Sequence, residues 1–261
     1  MDWHSRFLQQ AGWTKDLRAY LFEQAGLKEA RRVLEVGCGT GAILSDLSTR
    51  ADVHGLDKDQ LRLLEAHRRV PSAKLACGNA LSLPYASGVF DITFCHFLLL
   101  WVRQPVLALS EMKRVTRPGS AVLALAEPDY TSRIDKPAAL APLGRWQAES
   151  LKRQGADPGV GKRLADLFRD AGIMPIETGP LGGGSGSRMG PGSPSSSTGL
   201  QSREALLTSA ERDLEWSVLE ADLAGLVPAD ELRRMKMMDE QAWERGERVL
   251  HVPTYFAWGI V

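Results

Sequence analysis

The chain has 261 residues, which is long enough for one large domain or for one domain with an appended lobe, with a sizeable buried core in either case. Its 32 basic and 32 acidic side chains cancel, so it lacks the positive field that a large nucleic-acid or anionic membrane surface requires. Residues 1–10 do not resemble a signal peptide, and no apolar run reaches the roughly 20 residues of a membrane span. Cys38, Cys77 and Cys95 show no C-x-x-C spacing, and no histidine pair has metal-binding spacing. We therefore expect a cytoplasmic protein with reduced thiols and no metal.

The first elements of the chain are predicted to be helical. Residues 5–27 carry apolar side chains at spacings of three and four, which indicates one or two amphipathic helices. Short apolar runs then alternate with helical stretches, a pattern typical of a parallel sheet covered by helices on both faces. The predicted strands are residues 32–36, 53–56, 73–77, 90–95, 121–126 and 173–177, and the predicted helices between them are residues 42–49, 58–68, 105–115 and 161–171, the last ended by Gly172.

The last third of the chain changes in composition. The tract from residue 178 to 199 is rich in Gly, Ser and Pro without apolar periodicity, which predicts a mobile loop. Two helices are expected at 203–224 and 229–245, before a final strand rich in β-branched and aromatic residues. We divide the chain into an N-terminal helical lid (1–30), a core (31–178) with a lid insertion (131–160), a flexible loop (179–202), a helical lid insertion (203–248) and a final core strand (249–261).

The motif V-L-E-V-G-C-G-T-G joins a buried strand to a glycine-rich turn and then to a helix. Gly37, Gly39 and Gly41 allow positive φ angles and a close approach of backbone to a ligand. By itself the motif also fits a dinucleotide-binding site, because Gly37, Gly39 and Ala42 match the fingerprint G-x-G-x-x-G/A. Asp57 lies about twenty residues further on, where dinucleotide-binding proteins keep an acid for the ribose hydroxyls.

Glu35, two residues before the first glycine, favours one of these ligand classes. A pyrophosphate would gain nothing from a carboxylate here, whereas a ligand with an ammonium group would be stabilised. The alternative is a surface carboxylate at a strand end, which its place within a Val/Leu run disfavours. Further motifs follow in order: Gly78-Asn79-Ala80, Leu83-Pro84, Phe90-Asp91 and an apolar strand that ends at Cys95 and His96.

With these motifs in this order, the chain resembles the class I S-adenosylmethionine-dependent methyltransferases, especially the methyltransferase domain of ubiquinone and menaquinone biosynthesis. The resemblance covers about residues 27–179. It implies an α/β, Rossmann-like, doubly wound fold, with a mostly parallel seven-stranded sheet whose last strand is antiparallel, plus helical lid elements. It also implies S-adenosylmethionine as the cofactor.

The resemblance assigns roles to individual residues. Glu35 and the glycine turn would hold the methionine and ribose parts of the donor, Asp57 would bind both ribose hydroxyls, and Lys58 would lie near the adenine. Asp57 fits equally well as the N-cap of the next helix. Asn79 stands where the family often has Asp beside the adenine amino group, although an amide oxygen still accepts. The expected donor-binding residues are Glu35, Gly37, Cys38, Gly39, Gly41, Asp57, Lys58, Gly78, Asn79, Ala80 and Cys95.

Methyl transfer from a sulfonium is an in-line displacement, so alignment and the exclusion of water are the main tasks of the protein. A phenol or a carbon acid would also need a general base. The candidates at the ends of strands four and five are His96, Glu127, Asp129 and Tyr130. A packing or capping role stays open for His96, and turn capping stays open for Glu127 and Asp129.

The elements outside the shared sheet would form a lid over the acceptor. Tryptophan side chains in these elements could enclose a flat or apolar molecule, although packing in the core is the commoner role of aromatic residues on amphipathic helices. We therefore expect a methyltransferase that acts on an O, N or C nucleophile of a small molecule, with no nucleic-acid partner. The alternatives are an NAD(P)-dependent oxidoreductase and a non-catalytic donor-binding protein of the same fold.

Overall fold

The computed structural model describes residues 2–48, 51–181 and 208–261. Most of the strands belong to one sheet. In chain order the strands are β1 (Arg32–Val36), β2 (Asp52–Asp57), β3 (Lys74–Cys77), β4 (Phe90–Cys95), β5 (Thr116–Pro128), β6 (Ile134–Lys136), β7 (Met174–Pro180), β8 (Val249–His251) and β9 (Thr254–Ile260).

The large sheet has seven strands in the order β3-β2-β1-β4-β5-β9-β7. The pairs from β3 to β5 are parallel, whereas β9 runs antiparallel to both β5 and β7. The predicted Rossmann-like, mostly parallel sheet with an antiparallel last strand is confirmed. Because β1 and β4 lie at the centre, the residues that follow them meet at one edge of the sheet.

Helices cover both faces of this sheet. They are α1 (Trp3–Trp13), α2 (Lys15–Gln24), α3 (Leu44–Leu47), α4 (Gln60–Arg69), α5 (Pro105–Val115), α6 (Ala141–Arg153), α7 (Leu164–Asp170), α8 (Ser209–Leu223) and α9 (Ala229–Glu244). Val33 and Phe94 pack on one face with Phe22 of α2. Leu34 and Met112 pack on the other face, which α5 and α7 cover. Alternate residues of the central strands therefore serve two separate cores.

Several predicted bounds change. The expected last strand is two strands, β8 and β9, and β8 pairs with β6 in a separate two-stranded sheet. Pro253 stands between them and has no N–H to donate to a ladder, which accounts for the break. Strand β7 continues to Pro180, so the start of the predicted loop belongs to the sheet. Residues 182–202 of that loop lie outside the described residues, as do residues 49 and 203–207 of two predicted helices.

Helices α6, α8 and α9 form a third apolar cluster beside the sheet. A buried ionic network joins this cluster to the small sheet. Arg248 Nη2 donates to Asp135 Oδ1 at 2.7 Å, its Nε binds Asp239, and Asp239 Oδ2 accepts from Trp216 Nε1 at 2.7 Å. Arg133 binds Asp135 through two N–H groups, at 2.8 and 2.9 Å. In the described ranges, no helix has the length and apolar character needed to cross a bilayer.

Replacing Arg248 by Met tests how much this network contributes to the free energy of unfolding. Its loss leaves buried Asp239 without a cation, and breaking a buried pair in this way costs about 3 to 5 kcal/mol. We expect the free energy of unfolding from urea titration to fall by that amount. The matched control is Arg245→Met, because Arg245 and its partner Glu247 are both about half exposed; that change should cost less than about 1 kcal/mol. Equal losses in the two variants would contradict the role of the network.

Candidate functional site

The sequence-predicted site residues meet at the carboxyl edge of the parallel strands. Glu35 and the glycine turn lie at the end of β1, Asp57 and Lys58 at the end of β2, and Gly78, Asn79 and Ala80 after β3. Cys95 and His96 lie at the end of β4, and Glu127 and Asp129 at the end of β5. The strand order places these groups in one row, because β3, β2, β1, β4 and β5 are neighbours. This edge is where open α/β sheets bind ligands.

The glycine turn is held against β2 by backbone hydrogen bonds. The N–H groups of Gly37 and Cys38 both donate to the Leu56 carbonyl, at 2.7 and 3.0 Å. Gly37, Gly39 and Gly41 have φ angles of 79°, 51° and 77°, which a side chain would penalise. A Cβ at Gly37 would lie 2.7 Å from Leu98 Cδ1, and one at Gly39 would lie 3.0 Å from the Phe7 ring. The turn therefore has room only for glycine at these two positions.

Glu35 is a buried carboxylate at the end of β1. It is 3% exposed, and its Oε2 is buried with no partner among the described residues. Burial raises its pKa well above the ordinary value, an effect that the Arg18 cation opposes and that Asp57 and Asp46 reinforce. Buried polar groups are nearly always paired, so the unpaired oxygen of Glu35 beside the glycine turn is an acceptor available to a ligand.

The sequence left open whether Asp57 binds a ribose or caps the next helix. In the structure Asp59, and not Asp57, caps that helix. Asp59 is the N-cap of α4, and its Oδ1 accepts from the N–H groups of Leu61 and Arg62, at 2.9 and 3.3 Å. Asp57 accepts instead from Gly39 N at 2.8 Å and from Asp59 N at 2.9 Å. The N-cap interpretation of Asp57 is therefore wrong, and its carboxylate ties β2 to the glycine turn. Each of its oxygens retains a lone pair that can accept from a further donor.

The residues expected around the adenine lie beside Asp57. Gly78 N donates to the Asp57 carbonyl at 3.0 Å, which fixes the start of the loop after β3. Asn79 is exposed, and its Oδ1 accepts from Leu81 N at 3.0 Å. Lys58 is exposed and Ala80 is half-buried. These side chains surround an open end of the site.

The two cysteines expected near the donor point into the protein core. A Cβ at Gly55 would lie 2.8 Å from Cys38 Sγ, so the missing side chain of Gly55 makes room for this thiol. Cys95 is fully buried, with Sγ 3.9 Å from Glu127 Oε1. Burial raises the pKa of both thiols. They are packing groups and not nucleophiles.

His96 is held by a residue that the sequence did not single out. Its Nε2 lies 2.9 Å from Thr14 Oγ1, and Arg18 Nη1 donates to the same Thr14 oxygen at 2.7 Å. The Thr14 hydroxyl accepts this hydrogen bond from Arg18 and has one proton to donate, either to the Ala11 carbonyl at 3.3 Å or to Nε2 at 2.9 Å. Burial, with a contribution from Arg18, lowers the pKa of His96 to about 3. A buried neutral ring whose Nε2 already contacts a hydroxyl favours the packing or capping interpretation over a general base.

Glu127 caps the turn that follows β4. Its Oε1 accepts from Leu98 N and Leu99 N, both at 3.0 Å, and its Oε2 accepts from Leu100 N at 3.3 Å. Burial raises its pKa to about 7, although these three hydrogen bonds oppose the rise. The turn-capping alternative is therefore the one that the hydrogen bonds favour.

Asp129 has a similar environment at the end of β5. It is fully buried, accepts from Thr131 N at 3.0 Å and from Ser132 Oγ at 2.7 Å, and also binds the Thr131 hydroxyl. These bonds cap a 3₁₀ turn over Tyr130–Ser132. Burial raises the pKa of Tyr130, which keeps its phenol protonated. A protonated phenol favours Tyr130 as a hydrogen-bond donor over a role as a base.

Helix α1 connects the glycine turn to the lid. His4 Nδ1 lies 2.7 Å from Thr40 Oγ1 at one end of the connection. On its other side Arg6 pairs with Glu215 of α8, and Gln9 Nε2 donates to the Glu211 carbonyl at 3.2 Å. The amphipathic pattern predicted this helix, but it could not show which polar side chains face inward.

Comparisons with known proteins relate the chain to methyltransferases. Residues 34–124 match a family described as a methyltransferase domain. A demethylmenaquinone methyltransferase of Shouchella clausii is 30% identical over 199 residues, which cover 67% of this chain and 83% of that protein. An uncharacterized 37.1 kDa protein in transposon TN4556 of Streptomyces fradiae is 31% identical over 180 residues, which cover 64% of this chain. The chain spans about half the length of several curated relatives that it matches, namely 51%, 45% and 48%.

Solved structures share the fold. A geranyl diphosphate methyltransferase, solved in complex with SAM, has a TM-score of 0.55 and 12% identity, with 93% of this chain and 83% of that chain covered. At this identity the likeness concerns the fold alone.

The raised pKa of Glu127 predicts a pH dependence of stability. Its folded value of about 7 exceeds the ordinary 4.5, so the folded state holds its proton more tightly, and stability falls as pH rises from below 4.5 to above 7. In Glu127→Gln, one side-chain oxygen still accepts from the turn and no charge forms. We expect the stability of this variant relative to wild type to improve by roughly 2 to 3 kcal/mol between pH 5 and pH 8.

Urea titrations at several pH values measure this difference. Glu244→Gln, an exposed change on α9, is the control and should follow the wild-type profile. If the stability of Glu127→Gln changes with pH in the same way as that of wild type, the raised pKa of Glu127 is contradicted.

Proposed function

Because the chain belongs to the class I S-adenosylmethionine-dependent methyltransferases, we propose that it transfers the donor's methyl group to a small-molecule acceptor. The products are the methylated acceptor and S-adenosylhomocysteine. The observation that carries the proposal is Glu35, a buried carboxylate with an unpaired oxygen beside the glycine turn. A donor with an ammonium group supplies the missing partner.

The residues present fit this donor. An ammonium group beside Glu35 would stabilise its charged form and offset the burial that raises its pKa. Asp57 keeps lone pairs for the ribose hydroxyls while it holds Gly39 in place. Lys58, Gly78, Asn79 and Ala80 would line the adenine end. Cys38, Cys95, Gly37 and Gly41 shape the backbone and the packing around the donor.

Orientation and water exclusion would be the main contributions of the protein to catalysis. S-adenosylmethionine supplies a methyl group activated by a sulfonium. Fixing two reactants in line contributes roughly 7 to 11 kcal/mol to rate acceleration. The phenol of Tyr130 and the neutral ring of His96 would orient an acceptor by hydrogen bonding, and Glu127 and Asp129 would hold the loops that carry them. The lid made by α1, α6 and α8 would exclude water.

The proposal also covers the cellular compartment of the protein and the class of its acceptor. We place it in the cytoplasm, where thiols stay reduced, because Cys38, Cys77 and Cys95 are all free. Its acceptor would be a metabolite and not a nucleic acid, since the chain has no net positive charge.

Binding of S-adenosylhomocysteine is the first test. Isothermal titration should show binding of this product to the wild type and none of NADH, because the carboxylate of Glu35 disfavours a pyrophosphate. Asp57→Asn removes a charged acceptor from the ribose and should weaken binding roughly 10- to 100-fold. Asp59→Asn is the matched control, because Asn is an equally good N-cap and the same charge is lost nearby. NADH binding without S-adenosylhomocysteine binding would contradict the proposal and favour an oxidoreductase.

Turnover is the second test. With methyl-labelled S-adenosylmethionine, we expect label to enter low-molecular-mass compounds of a cell extract. Label in bulk RNA or protein alone would contradict a small-molecule acceptor. Product binding without turnover on any fraction of the extract would indicate a donor-binding protein without catalysis.

A further inference from the structure

We infer that the cleft between α6, α8 and α9 binds a carboxylate of the methyl acceptor, and that this acceptor is a flat, apolar molecule with one negative charge. This inference rests on the proposed function and adds the chemical class of the acceptor to it. The residue on which the binding would depend most is Arg212 of α8.

The cleft lies where the lid helices meet the small sheet. Its volume is about 420 Å³, counting the part that is open to solvent, which is within the range of pockets that hold small molecules. Its apolar walls come from all of these elements: Leu143 of α6, Trp216 and Leu219 of α8, Trp243 of α9 and Leu250 of β8. Aromatic and aliphatic walls of this kind suit a flat, apolar ligand.

Arg212 is a cation of the cleft without an anionic partner. It lies in the first turn of α8, and its guanidinium is 5.4 Å from the centre of the Trp243 ring. In the described part of the chain, its side chain has no carboxylate partner and donates no hydrogen bond. Contact with an aromatic face uses none of the five N–H donors of a guanidinium. Arg212 can therefore bind a carboxylate through two parallel hydrogen bonds.

The other charged side chains that line the cleft already have opposite charges beside them. Glu215 pairs with Arg6 of α1, and the remaining three belong to the buried ionic network around Arg248, which holds two guanidinium groups and two carboxylates. One anion would therefore complete the pairing of Arg212. A carboxylate fits better than a phosphate monoester, because the phosphate carries about 1.5 to 2 negative charges and would meet the carboxylate of Glu215.

Arg133 supplies further donors to the same cleft. Its side chain is buried, and its contacts to Asp135 and Gln147 use three of its five N–H groups. The two N–H groups that remain would add to those of Arg212 around one carboxylate. The cleft thus combines apolar walls with unused donors on two guanidinium groups.

The cleft lies next to a group expected to face the acceptor. Arg133 follows Tyr130 by three residues, after the turn that Asp129 caps. The charges of Arg6, Glu215 and Arg133 all act on the pKa of Tyr130, which places its phenol beside this end of the cleft. Helix α1, which carries Arg6, also covers the glycine turn. An acceptor anchored in the cleft would therefore extend towards the donor.

The carboxylate would be an anchor and not the methylated group. Its lone pairs would be engaged by the N–H groups of Arg212 and Arg133, which makes it a poor nucleophile. An O, N or C atom elsewhere on the acceptor would form the new bond to the methyl carbon. The S–C bond of the donor breaks with its electron pair left on sulfur, and the proton of the acceptor atom goes to solvent. The product therefore keeps its negative charge.

Binding of simple carboxylates tests the site. Benzoate, phenylacetate and 2-naphthoate differ in size, and each is compared with its amide, which keeps the shape and lacks the charge. Calorimetry in saturating S-adenosylhomocysteine gives dissociation constants for wild type, Arg212→Gln, Arg212→Lys and Arg233→Gln. Arg233 is exposed on α9 and does not line the cleft, so Arg233→Gln is the matched control for the loss of one positive charge from the lid. Circular dichroism establishes that each variant is folded.

We expect wild type and Arg233→Gln to bind at least one carboxylate roughly 10- to 100-fold more tightly than its amide, the value of one charged hydrogen-bonded contact. Arg212→Gln should bind that acid and its amide about equally, and Arg212→Lys should restore part of the preference. Equal affinities for acids and amides in wild type, no binding of any of the three acids, or an undiminished preference in folded Arg212→Gln would overturn the site.

The charge of the methylated product tests the assignment to the acceptor. With methyl-labelled S-adenosylmethionine and a cell extract, the labelled small product should be retained by an anion exchanger at pH 7. At the same extract concentration, Arg212→Gln should form it roughly 10- to 100-fold more slowly than wild type and Arg233→Gln at the wild-type rate.

A labelled small product that passes the exchanger, or one that Arg212→Gln forms at the wild-type rate, would overturn the carboxylate acceptor. In either case the protein is still a small-molecule methyltransferase, and the proposed function stands. Failure of wild type to bind S-adenosylhomocysteine would instead overturn the proposed function.

Discussion

The structure depends on one uncompensated interaction, the burial of the Glu35 carboxylate at the end of the central strand β1. A buried carboxyl group without a partner is costly to ionise, and among the described residues neither a backbone N–H nor a side chain hydrogen-bonds to its Oε2. Nearby Asp57 and Asp46 add to the cost, and only Arg18 opposes it. Such a group lowers stability in the free protein and becomes favourable when a cation binds. Under the proposed function, the ammonium group of the donor would supply that cation beside the glycine turn.

Around this carboxylate the chain builds the site from three distant regions. The glycine turn and Asp57 come from the sheet, Thr14 and Arg18 come from the helices before it, and Glu215 comes from α8 of the lid. Arg6 and Gln9 join α1 to α8, and Phe7 covers Gly39. Helix α1 therefore connects the glycine turn with α8. Movement of α1 would alter both at once.

The sequence was sufficient for the parts of the fold in which one pattern dominates. The predicted bounds of β1, β4 and α5 match the structure, because a short and mostly apolar run marks each of the two strands and a proline at the first helical turn marks the helix. Long-range effects decided the parts that could not be predicted. Pro253 divides the last predicted strand into β8 and β9. The strand that pairs with β8 is β6, which lies more than a hundred residues earlier in the chain.

Some residues of the candidate site could also be predicted from the sequence, and others could not. The glycine turn and Glu35 could be recognised from local spacing, but the choice between Asp57 and Asp59 as the helix cap depended on a difference of two residues in backbone geometry. Thr14 and Arg18 carried no local signal, because an amphipathic helix pattern does not show which polar residue turns inward. Glu127 and Asp129 looked like acid–base groups by position, and only their backbone partners indicated that they cap turns.

The central claim is that Glu35 binds the ammonium group of the donor. A crystal structure with bound S-adenosylhomocysteine tests it most directly. The account predicts a distance of about 2.8 Å between a Glu35 carboxylate oxygen and the ligand's amino nitrogen, as in a charge-assisted hydrogen bond. An amino group that points to solvent, with Glu35 still unpaired, would contradict it.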